Sequence, residues 1–300
     1  MRHLTFLFTL IFLSLGVTSC LDDENDLTTP NPQHLDQDEQ EDRDVASQPD
    51  IPDLQDALLQ HIQQHTEDVE SPVRETVIRP DGTEETVYLV EGDIELTKEQ
   101  FQQLSNPDIS AQKQYRSTNR VNGYQTYTVF AINSGSSALT PTQITGLRYA
   151  VENYNNLNLT IKLKLQTGSI WNSLFSPYDI LVYHDGNSSS ATASAGFPAG
   201  GKPYKYVRVY DGLNGQSDQV AEHVLAHELG HCLGLRHTDW FNRSYSCGTG
   251  GSEGTGTTGA LHIPGTPTGY DSGSILNACW WSSTNGEFSY YDRVALNWLF

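Results

Sequence analysis

The sequence predicts a mixed α/β domain of the α+β kind over residues 111–300. Three observations predict it: apolar segments with strand-like patterns recur along this region, a long helical segment stands late in it, and a second helix closes it. Residues 51–110 form a smaller segment ahead of the domain. That segment is too short to be very stable alone, so we expect it to pack against the larger domain.

The elements follow from local patterns along the chain. Residues 51–66 carry apolar side chains at helical spacing, and residues 75–90 alternate around a Pro-Asp-Gly turn as a hairpin. Residues 97–104 form a short helix that Thr97 caps. In the larger domain we expect strands at residues 125–132, 159–165, 178–183, 191–197 and 204–210, and helices at residues 140–155, 218–233 and 290–299.

The negative charge of the chain is confined to its first third. The formal net charge is −20, but residues 21–110 hold 25 Asp and Glu against 4 Lys and Arg, whereas residues 111–300 hold 12 of each. Such a difference indicates separate physical roles for the two parts. Neither part has the basic character that phosphate groups require, so nucleic acid is excluded as a partner.

The N-terminus has the pattern of an export signal. A short apolar run ends in Val17-Thr18-Ser19, directly ahead of Cys20. This ending resembles a bacterial lipobox. The resemblance implies a lipoprotein signal peptide over residues 1–19, cleavage before Cys20 and a lipid on its thiol. The alternative is an ordinary signal peptide followed by an incidental cysteine.

Residues 20–50 are acidic and polar, and we expect a disordered tether there. The acidic stretch after Cys20 resembles the surface-export signal of some Gram-negative lipoproteins, although a solvated spacer explains it equally well. The expected location is therefore outside the cytoplasm, on a bacterial outer membrane through a lipid anchor at Cys20, with surface exposure as a further possibility.

The helix at residues 218–233 carries a metal-binding pattern. His227 and His231 are four residues apart, so both imidazoles project from one face and can bind the same Zn²⁺. Glu228 lies about 100° round the helix, close enough to reach a water on the metal. Gly234 ends the helix, and the turn after it carries His237 back as a third ligand. Three protein ligands leave a fourth position open, as in catalytic zinc sites.

This pattern is the zinc-binding signature of the metzincin metallopeptidases, which the sequence resembles over residues 115–300. It resembles more closely the bacterial dual-action HEIGH metallopeptidases, the protease B group. That resemblance rests on residues 227–248, on residues 265–269 and on residues 291–297. It implies a metzincin-like fold: a twisted mixed sheet with an active-site helix and a C-terminal helix, preceded by a small prosegment.

The resemblance also implies an activity and its residues. It implies a zinc endopeptidase that hydrolyses protein or peptide substrates, with His227, His231 and His237 as ligands and Glu228 as general base. We expect the substrate to lie along the strand at residues 191–197, as a possible short edge strand. The competing interpretation is a non-catalytic surface lipoprotein that binds protein or glycan in the same cleft. The intact Glu228 favours the enzyme, since a binding module needs no base.

Two positions depart from the metzincin pattern. Metzincins place a Met in a tight turn beneath the zinc; here Leu276 stands there, and Met1 is the only Met in the chain. A swap between Leu and Met conserves volume and usually costs less than about 1.5 kcal/mol, so we expect activity to survive. Ala278 stands where astacin-like relatives carry a Tyr that faces the zinc. Stabilisation of the oxyanion then rests on zinc, unless Tyr290 or Tyr291 reaches in.

Residues beside the motif have two interpretations each. His223 is one turn before His227 on the helix, and we expect a residue near the cleft rather than a ligand, because His237 completes the set. Asp239 either orders His237 or is a simple turn residue. Of the cysteines beyond Cys20, any two can form one disulfide; Cys232 with Cys247 is weakly favoured, because both flank the zinc turn, and Cys279 is then left over.

Residues 90–94 resemble the aspartate-switch motif of astacin propeptides, with Val90 in place of its Phe. The resemblance implies that residues 51–110 act as a prosegment. It also implies that Asp93 fills the fourth zinc position as a latency ligand until the segment is removed. The alternative is an ordinary Gly-Asp turn after a strand.

Overall fold

The computed structural model describes residues 72–90, 92–103, 115–186, 191–254, 259–267 and 269–300. The predicted signal peptide, Cys20, the tether and the helix at residues 51–66 lie outside these residues. The strands are β1 (Val73–Ile78), β2 (Glu84–Val90), β3 (Ile94–Leu96), β4 (Tyr115–Arg116), β5 (Thr126–Ser134), β6 (Lys162–Ser169), β7 (Ile180–His184), β8 (Ala193–Gly196), β9 (Tyr206–Val209) and β10 (Leu261–His262). The helices are α1 (Lys98–Gln103), α2 (Pro141–Asn156), α3 (Ile170–Phe175), α4 (Asp218–Leu233), α5 (Ser244–Cys247) and α6 (Tyr290–Leu299).

Eight of these strands form one mixed sheet, in the order β1-β2-β3-β8-β9-β7-β5-β6. The pairs β5–β6, β5–β7 and β7–β9 are parallel, whereas β8 runs antiparallel to β9. The first three strands belong to the N-terminal segment, by which we mean residues 72–90 and 92–103. They form an antiparallel meander, and β3 joins the rest of the sheet through a parallel pairing with β8. The short pair β4–β10 lies apart.

The main core lies between this sheet and the two long helices, α2 and α4. Every residue of α4 from Val220 to Leu233 is buried, its Glu and His side chains included, so the helix is surrounded by protein on all sides. The two helices approach closely at Gly146, where a Cβ atom would come within 2.6 Å of the Cβ of Ala221. A side chain at position 146 would therefore push apart the two helices that position the site.

The predicted fold class is confirmed by the mixed sheet, the buried α4 and the closing α6. The predicted hairpin is β1 and β2, and α1 begins after Thr97, whose hydroxyl oxygen accepts a hydrogen bond from the Gln100 N–H at 3.2 Å. Sequence patterns did not predict α3 or the pair β4–β10, which are too short to show a period.

The prediction of an edge strand at residues 191–197 is wrong for the sheet as it stands. β8 forms there, but β3 pairs with one side of it and β9 with the other. The pattern failed because β8 is rich in small residues, and small residues occur both at an edge and beneath a closely packed neighbour. Among the described helices, none is long and apolar enough to cross a membrane.

Candidate metal centre

The end of helix α4 brings the third histidine back to the two that the helix carries. Gly234 adopts a left-handed conformation with φ 115°, and its N–H donates to the carbonyls of Gly230 and His231. A Cβ atom on Gly234 would lie 2.8 Å from the Asn119 carbonyl oxygen. The position therefore requires glycine both for its dihedral angle and for space. After this turn the chain reverses and carries His237 back towards the helix.

The three histidines meet as the sequence predicts. The Nε2 atoms of His227 and His231 are 2.9 Å apart, and each lies 3.2 Å from the Nε2 atom of His237. All three side chains are buried. Three nitrogens on a tetrahedral metal at about 2.0–2.1 Å are separated by roughly 3.3 Å, so these three can share one ion with little movement.

Each imidazole is oriented by a hydrogen bond from its other nitrogen. The Nδ1 atoms of His227 and His231 donate to the carbonyls of Ile275 and Leu235, at 2.7 and 2.8 Å. Nδ1 of His237 donates to a carboxylate oxygen of Glu253 at 2.5 Å. With the proton on Nδ1, each Nε2 turns a lone pair towards the same point. Facing lone pairs repel one another unless a cation lies between them, so the donor set fits a Zn²⁺ ion.

Asp93, a residue of the N-terminal segment, lies beside the three histidines. It follows Gly92, whose φ is 88°, in the turn between β2 and β3. One carboxylate oxygen of Asp93 lies 3.0 Å from Nε2 of His237 and 3.7 Å from Nε2 of His227. The four ligand atoms are all within 4.8 Å of one another, so the group can hold a metal ion. Burial raises the pKa of Asp93, but His237 and His227 outweigh it and hold the pKa well below its usual value.

Glu228 lies beside the same point with one oxygen uncommitted. Its side chain is buried, and its Oε2 atom has no hydrogen-bond partner among the described residues. Burial and the negative charge of Asp93 raise the pKa of Glu228 well above its usual value. A buried polar atom without a partner is costly, and it indicates a group that is placed for a reaction rather than for stability.

Sequence reasoning missed Glu253, which holds His237. Its second oxygen accepts from a guanidinium nitrogen of Arg236 at 3.2 Å, and its side chain is 1% exposed. Burial lowers the pKa of His237, but the carboxylates of Glu253 and Asp93 raise it well above its usual value. One signal was available: Glu253 is the only charged residue in the Gly-, Ser- and Thr-rich run at residues 248–259.

Asp239 has the second of its two predicted roles, that of a turn residue, since the Asn242 N–H donates to its carbonyl at 2.7 Å. It does not contact His237. Its carboxylate accepts hydrogen bonds from the Ala278 N–H at 3.0 Å and from the Ser246 hydroxyl at 2.5 Å. Asp239 therefore ties the turn after the helix to residues 274–279, which lie beneath the histidines.

The turn at residues 274–279 supports the site from below, with Leu276 in the predicted place. Leu276 is 2% exposed and packs against Gly230 of α4. Asp292, in the first turn of α6, accepts from the Ser274 hydroxyl at 2.5 Å and from the Ile275 N–H at 3.0 Å. The C-terminal helix thus fixes the carbonyl of Ile275 that orients His227.

The predicted pairing of Cys232 with Cys247 is wrong. The disulfide joins Cys247 to Cys279, and Cys232 is a buried free thiol. The reason is helical geometry: Cys232 projects from α4 into the main core, away from the turn that carries Cys247. The disulfide fastens residues 274–279 to α5.

His223 lines a pocket beside the histidines, together with Asp93, Glu228, Thr192 and Trp280. Burial and the nearby His227 lower the pKa of His223 to about 3, so it is neutral. His223 is not part of the four-residue metal group. Tyr290 is 66% exposed and stacks edge-on with Tyr291. Neither tyrosine lines this pocket.

A buried helix with two histidines one turn apart, a third histidine after a glycine break and an adjacent carboxylate define the class, a zinc metallopeptidase. Residues 87–300 match the sequence profile described as Dual-action HEIGH metallo-peptidase, and the chain belongs to that family. The predicted family, enzyme class and zinc dependence are thereby confirmed.

Two solved structures are similar to the chain at low identity. "Structure of Myroilysin" has 17% identity and a TM-score of 0.36, and covers 58% of this chain and 79% of that one. "Crystal Structure of metalloproteinase-II from Bacteroides fragilis" has 12% identity and a TM-score of 0.33, and covers 83% of this chain and 70% of that one. No curated protein matches the chain significantly.

Proposed function

We propose that this zinc metallopeptidase is an endopeptidase whose metal is held by His227, His231 and His237 and whose general base is Glu228. One observation carries the proposal: three buried Nε2 atoms converge beside a buried carboxylate oxygen that has no hydrogen-bond partner among the described residues. The non-catalytic alternative gains nothing from family membership, and it gives no reason for that uncommitted carboxylate.

The bound zinc supplies Lewis acidity, which polarises the scissile carbonyl and lowers the pKa of a water in the open position. Glu228 takes a proton from the attacking water on its Oε2 atom and passes it to the leaving amine. Burial is the larger cause of the raised pKa of Glu228 and the charge of Asp93 adds to it, so departure of Asp93 lowers that pKa and favours the ionised form that acts as a base.

The N-terminal segment acts as a latency device in this proposal. Asp93 occupies the fourth position at the histidines, where a water or a substrate carbonyl must bind. β3 also pairs with β8, which is the strand along which we expect the substrate to lie. The segment therefore blocks both the fourth position at the histidines and the strand along which the substrate lies. Its removal makes β8 the edge of the sheet.

The mature protein is lipid-anchored at Cys20 and held outside the cytoplasm by the acidic tether, on this proposal. The support is the Val-Thr-Ser-Cys ending of the apolar N-terminal run and the acidic residues that follow it. Replacement Cys20→Ser tests the anchor: the variant should lose incorporation of labelled fatty acid and leave the membrane fraction. If the variant fractionates and labels as the wild type does, the anchor is wrong.

Casein hydrolysis tests the catalytic assignment. The zinc-loaded full chain, nicked between its N-terminal segment and the domain, should cleave casein and lose this activity to a chelator. Glu228→Gln should lower kcat by about 10²–10⁴-fold, because the variant keeps shape but cannot accept the proton. The Glu228→Gln variant should keep its zinc, whereas His231→Ala should lose both its zinc and its activity. A fully active Glu228→Gln enzyme would show that another group is the base.

A further inference from the structure

A buried ionic cluster joins the N-terminal segment to the domain, and the proposed catalytic mechanism does not use it. Its centre is Glu95 of β3, which is fully buried. One carboxylate oxygen accepts from the Ser194 hydroxyl at 2.9 Å and from the Arg208 guanidinium at 3.0 Å. The other accepts from the Tyr204 hydroxyl at 2.8 Å and from Arg79 at 3.2 Å. Three of these four donors belong to the domain.

Two of the three domain donors, Arg208 and Ser194, are also held by contacts within the domain, whereas the Tyr204 hydroxyl bonds to Glu95 and Arg79 of the N-terminal segment. Nε of Arg208 donates to Asp185 at 2.9 Å, which fixes the guanidinium with one edge towards Glu95. The Ser194 and Tyr210 hydroxyls share a hydrogen bond of 2.8 Å. Since Asp185 and Tyr210 lie outside the N-terminal segment, Arg208 and Ser194 keep these partners when the segment leaves, and the ring of Tyr204 keeps its edge-on contact with Tyr206. When the segment leaves, Arg208 keeps Asp185 but loses its other two carboxylate partners, Glu95 and Glu75.

The backbone register relates this cluster to the zinc. The Ala195 N–H donates to the Asp93 carbonyl at 2.9 Å, and Glu95 lies opposite Gly196 of β8. A Cβ atom on Gly196 would lie 2.5 Å from the Glu95 carbonyl oxygen, so glycine is what lets another strand approach so closely. An extended chain that replaces β3 on β8 in the same direction and register will place a side chain over the same donors, two residues from the one that faces the histidines.

We propose that Arg208, Ser194 and Tyr204 form a substrate subsite for a carboxylate side chain. The peptidase then prefers Glu two or three residues from the scissile bond, and Glu95 occupies this subsite in the latent chain. The guanidinium and the two hydroxyls can all donate to a carboxylate, and the positive charge of Arg208 favours the ionised Glu over the neutral Gln. The inference rests on the proposed function, in which substrate lies along β8.

Matched peptides test the subsite. The full chain is folded with zinc and nicked with trypsin at Lys113, the only Lys or Arg between Lys98 and Arg116. Quenched fluorescent peptides carry either Glu or Gln at each of three positions on both sides of the bond. We expect kcat/KM to be about tenfold higher for Glu than for Gln at one position, and equal elsewhere.

Three variants assign that preference to the cluster. Arg208→Gln should abolish the ratio of Glu to Gln, and the milder Tyr204→Phe and Ser194→Ala should each lower it severalfold. The ratio is measured within one preparation, so a partly folded variant does not distort it. A ratio of one at every position in the wild type, or a ratio that all three variants preserve, would overturn the subsite.

A binding measurement separates failure of the subsite from failure of the proposed function. Labelled hexapeptides of residues 92–97, with Glu95 or with Gln in its place, are titrated onto the nicked full chain, where they compete with its cleaved N-terminal segment. The Glu peptide should bind about tenfold more tightly, and Arg208→Gln should remove the difference. If no peptide is cleaved but this difference persists, the endopeptidase proposal fails and the carboxylate site stands. Equal binding of the two peptides rejects the site itself.

Discussion

The two regions that meet at the histidines differ in the nitrogen that each contacts. The floor, by which we mean residues 274–279 with Glu253 and Asp292, orients the Nδ1 side through Ile275 and Glu253. The cover, by which we mean Asp93 and β3, reaches the Nε2 side. On the proposed function, metal and substrate bind on the Nε2 side, so the cover would compete with catalysis, whereas the floor would position the ligands without blocking them.

The two regions are also held by different kinds of contact. The floor is fastened by a disulfide and by short hydrogen bonds to α6, all within the domain. The cover is held by a three-residue strand and by carboxylates that pair with buried cations. A carboxylate from another chain can replace such a pairing, but nothing in solution replaces the floor. We therefore expect the floor to remain in place and the cover to be replaced by a substrate chain.

The strongest test of this comparison is to remove the Asp93 carboxylate from the cover. Asp93→Ala in the full chain should raise peptidase activity by at least about tenfold without proteolytic processing, because the fourth position opens and the pKa of Glu228 falls. Hydrolysis of a short fluorogenic peptide by the zinc-loaded chain measures the gain.

Asp81→Ala is the matched control for Asp93→Ala. Asp81 also belongs to the N-terminal segment, but its carboxylate accepts only from Thr83 in the exposed hairpin turn. This variant should remain as inactive as the parent chain. If Asp93→Ala gains no more activity than Asp81→Ala, loss of the Asp93 carboxylate is not enough to release the enzyme, and the pairing of β3 with β8 blocks it without Asp93.

The floor predicts an effect on metal affinity instead. Glu253→Gln should weaken zinc binding by about 10- to 100-fold, since the variant keeps an acceptor for His237 but loses the charge that makes the imidazole a better ligand. Competition with a chromophoric chelator measures the affinity. Asp218→Asn, at the exposed start of α4, should leave zinc affinity unchanged. Unchanged affinity in Glu253→Gln would mean that Glu253 serves only to pair Arg236.

The sequence predicted best what depends on short-range spacing. The interval between His227 and His231, the break at Gly234 and the cap of α1 are all local, and each formed as expected. The disulfide and the role of Glu253 depend on which loops meet in space. Cys279 and Glu253 reach the site from loops that have no period, so one sequence could not assign them.

The sequence also could not show that β8 is covered. Pairing of β3 with β8 joins residues about 100 positions apart, through a strand of three residues. Asp93 was suggested by its motif, but Glu95 looked like any other acidic residue in an acidic segment. Its buried partners, Arg208 and Tyr204, belong to a strand and a loop whose patterns indicate only an ordinary β-sheet.

A buried carboxyl group on α4, outside both regions, predicts an effect of pH on stability. Burial and the charge of Glu287 raise the pKa of Glu222 from its usual 4.5 to about 7. A carboxyl group with a higher pKa in the folded chain favours folding at low pH and opposes it as pH rises through the folded value. Glu222→Gln should therefore stabilise the protein by about 1–2 kcal/mol at pH 8.5 and by much less at pH 5.

Thermal unfolding at the two pH values measures this difference. The variant keeps the oxygen that accepts from Asn153 at 2.7 Å, so the packing between α2 and α4 is preserved. Glu287→Gln removes only the neighbouring charge, and should give a smaller gain in the same direction. A gain that is equal at both pH values would show that Glu222 is not protonated in the folded chain.

The smallest effect is expected at Leu276, where metzincins have Met. Leu276→Met should change the free energy of unfolding by less than about 1.5 kcal/mol and leave zinc affinity unchanged, because the side chain only fills space against Gly230. Leu276→Ala should cost about 2–5 kcal/mol, since it leaves a cavity beneath the helix. Denaturant titration and chelator competition measure the two quantities. A rise in zinc affinity or kcat in Leu276→Met would assign the sulfur an electronic role that packing alone does not supply, and the floor would then do more than position the ligands.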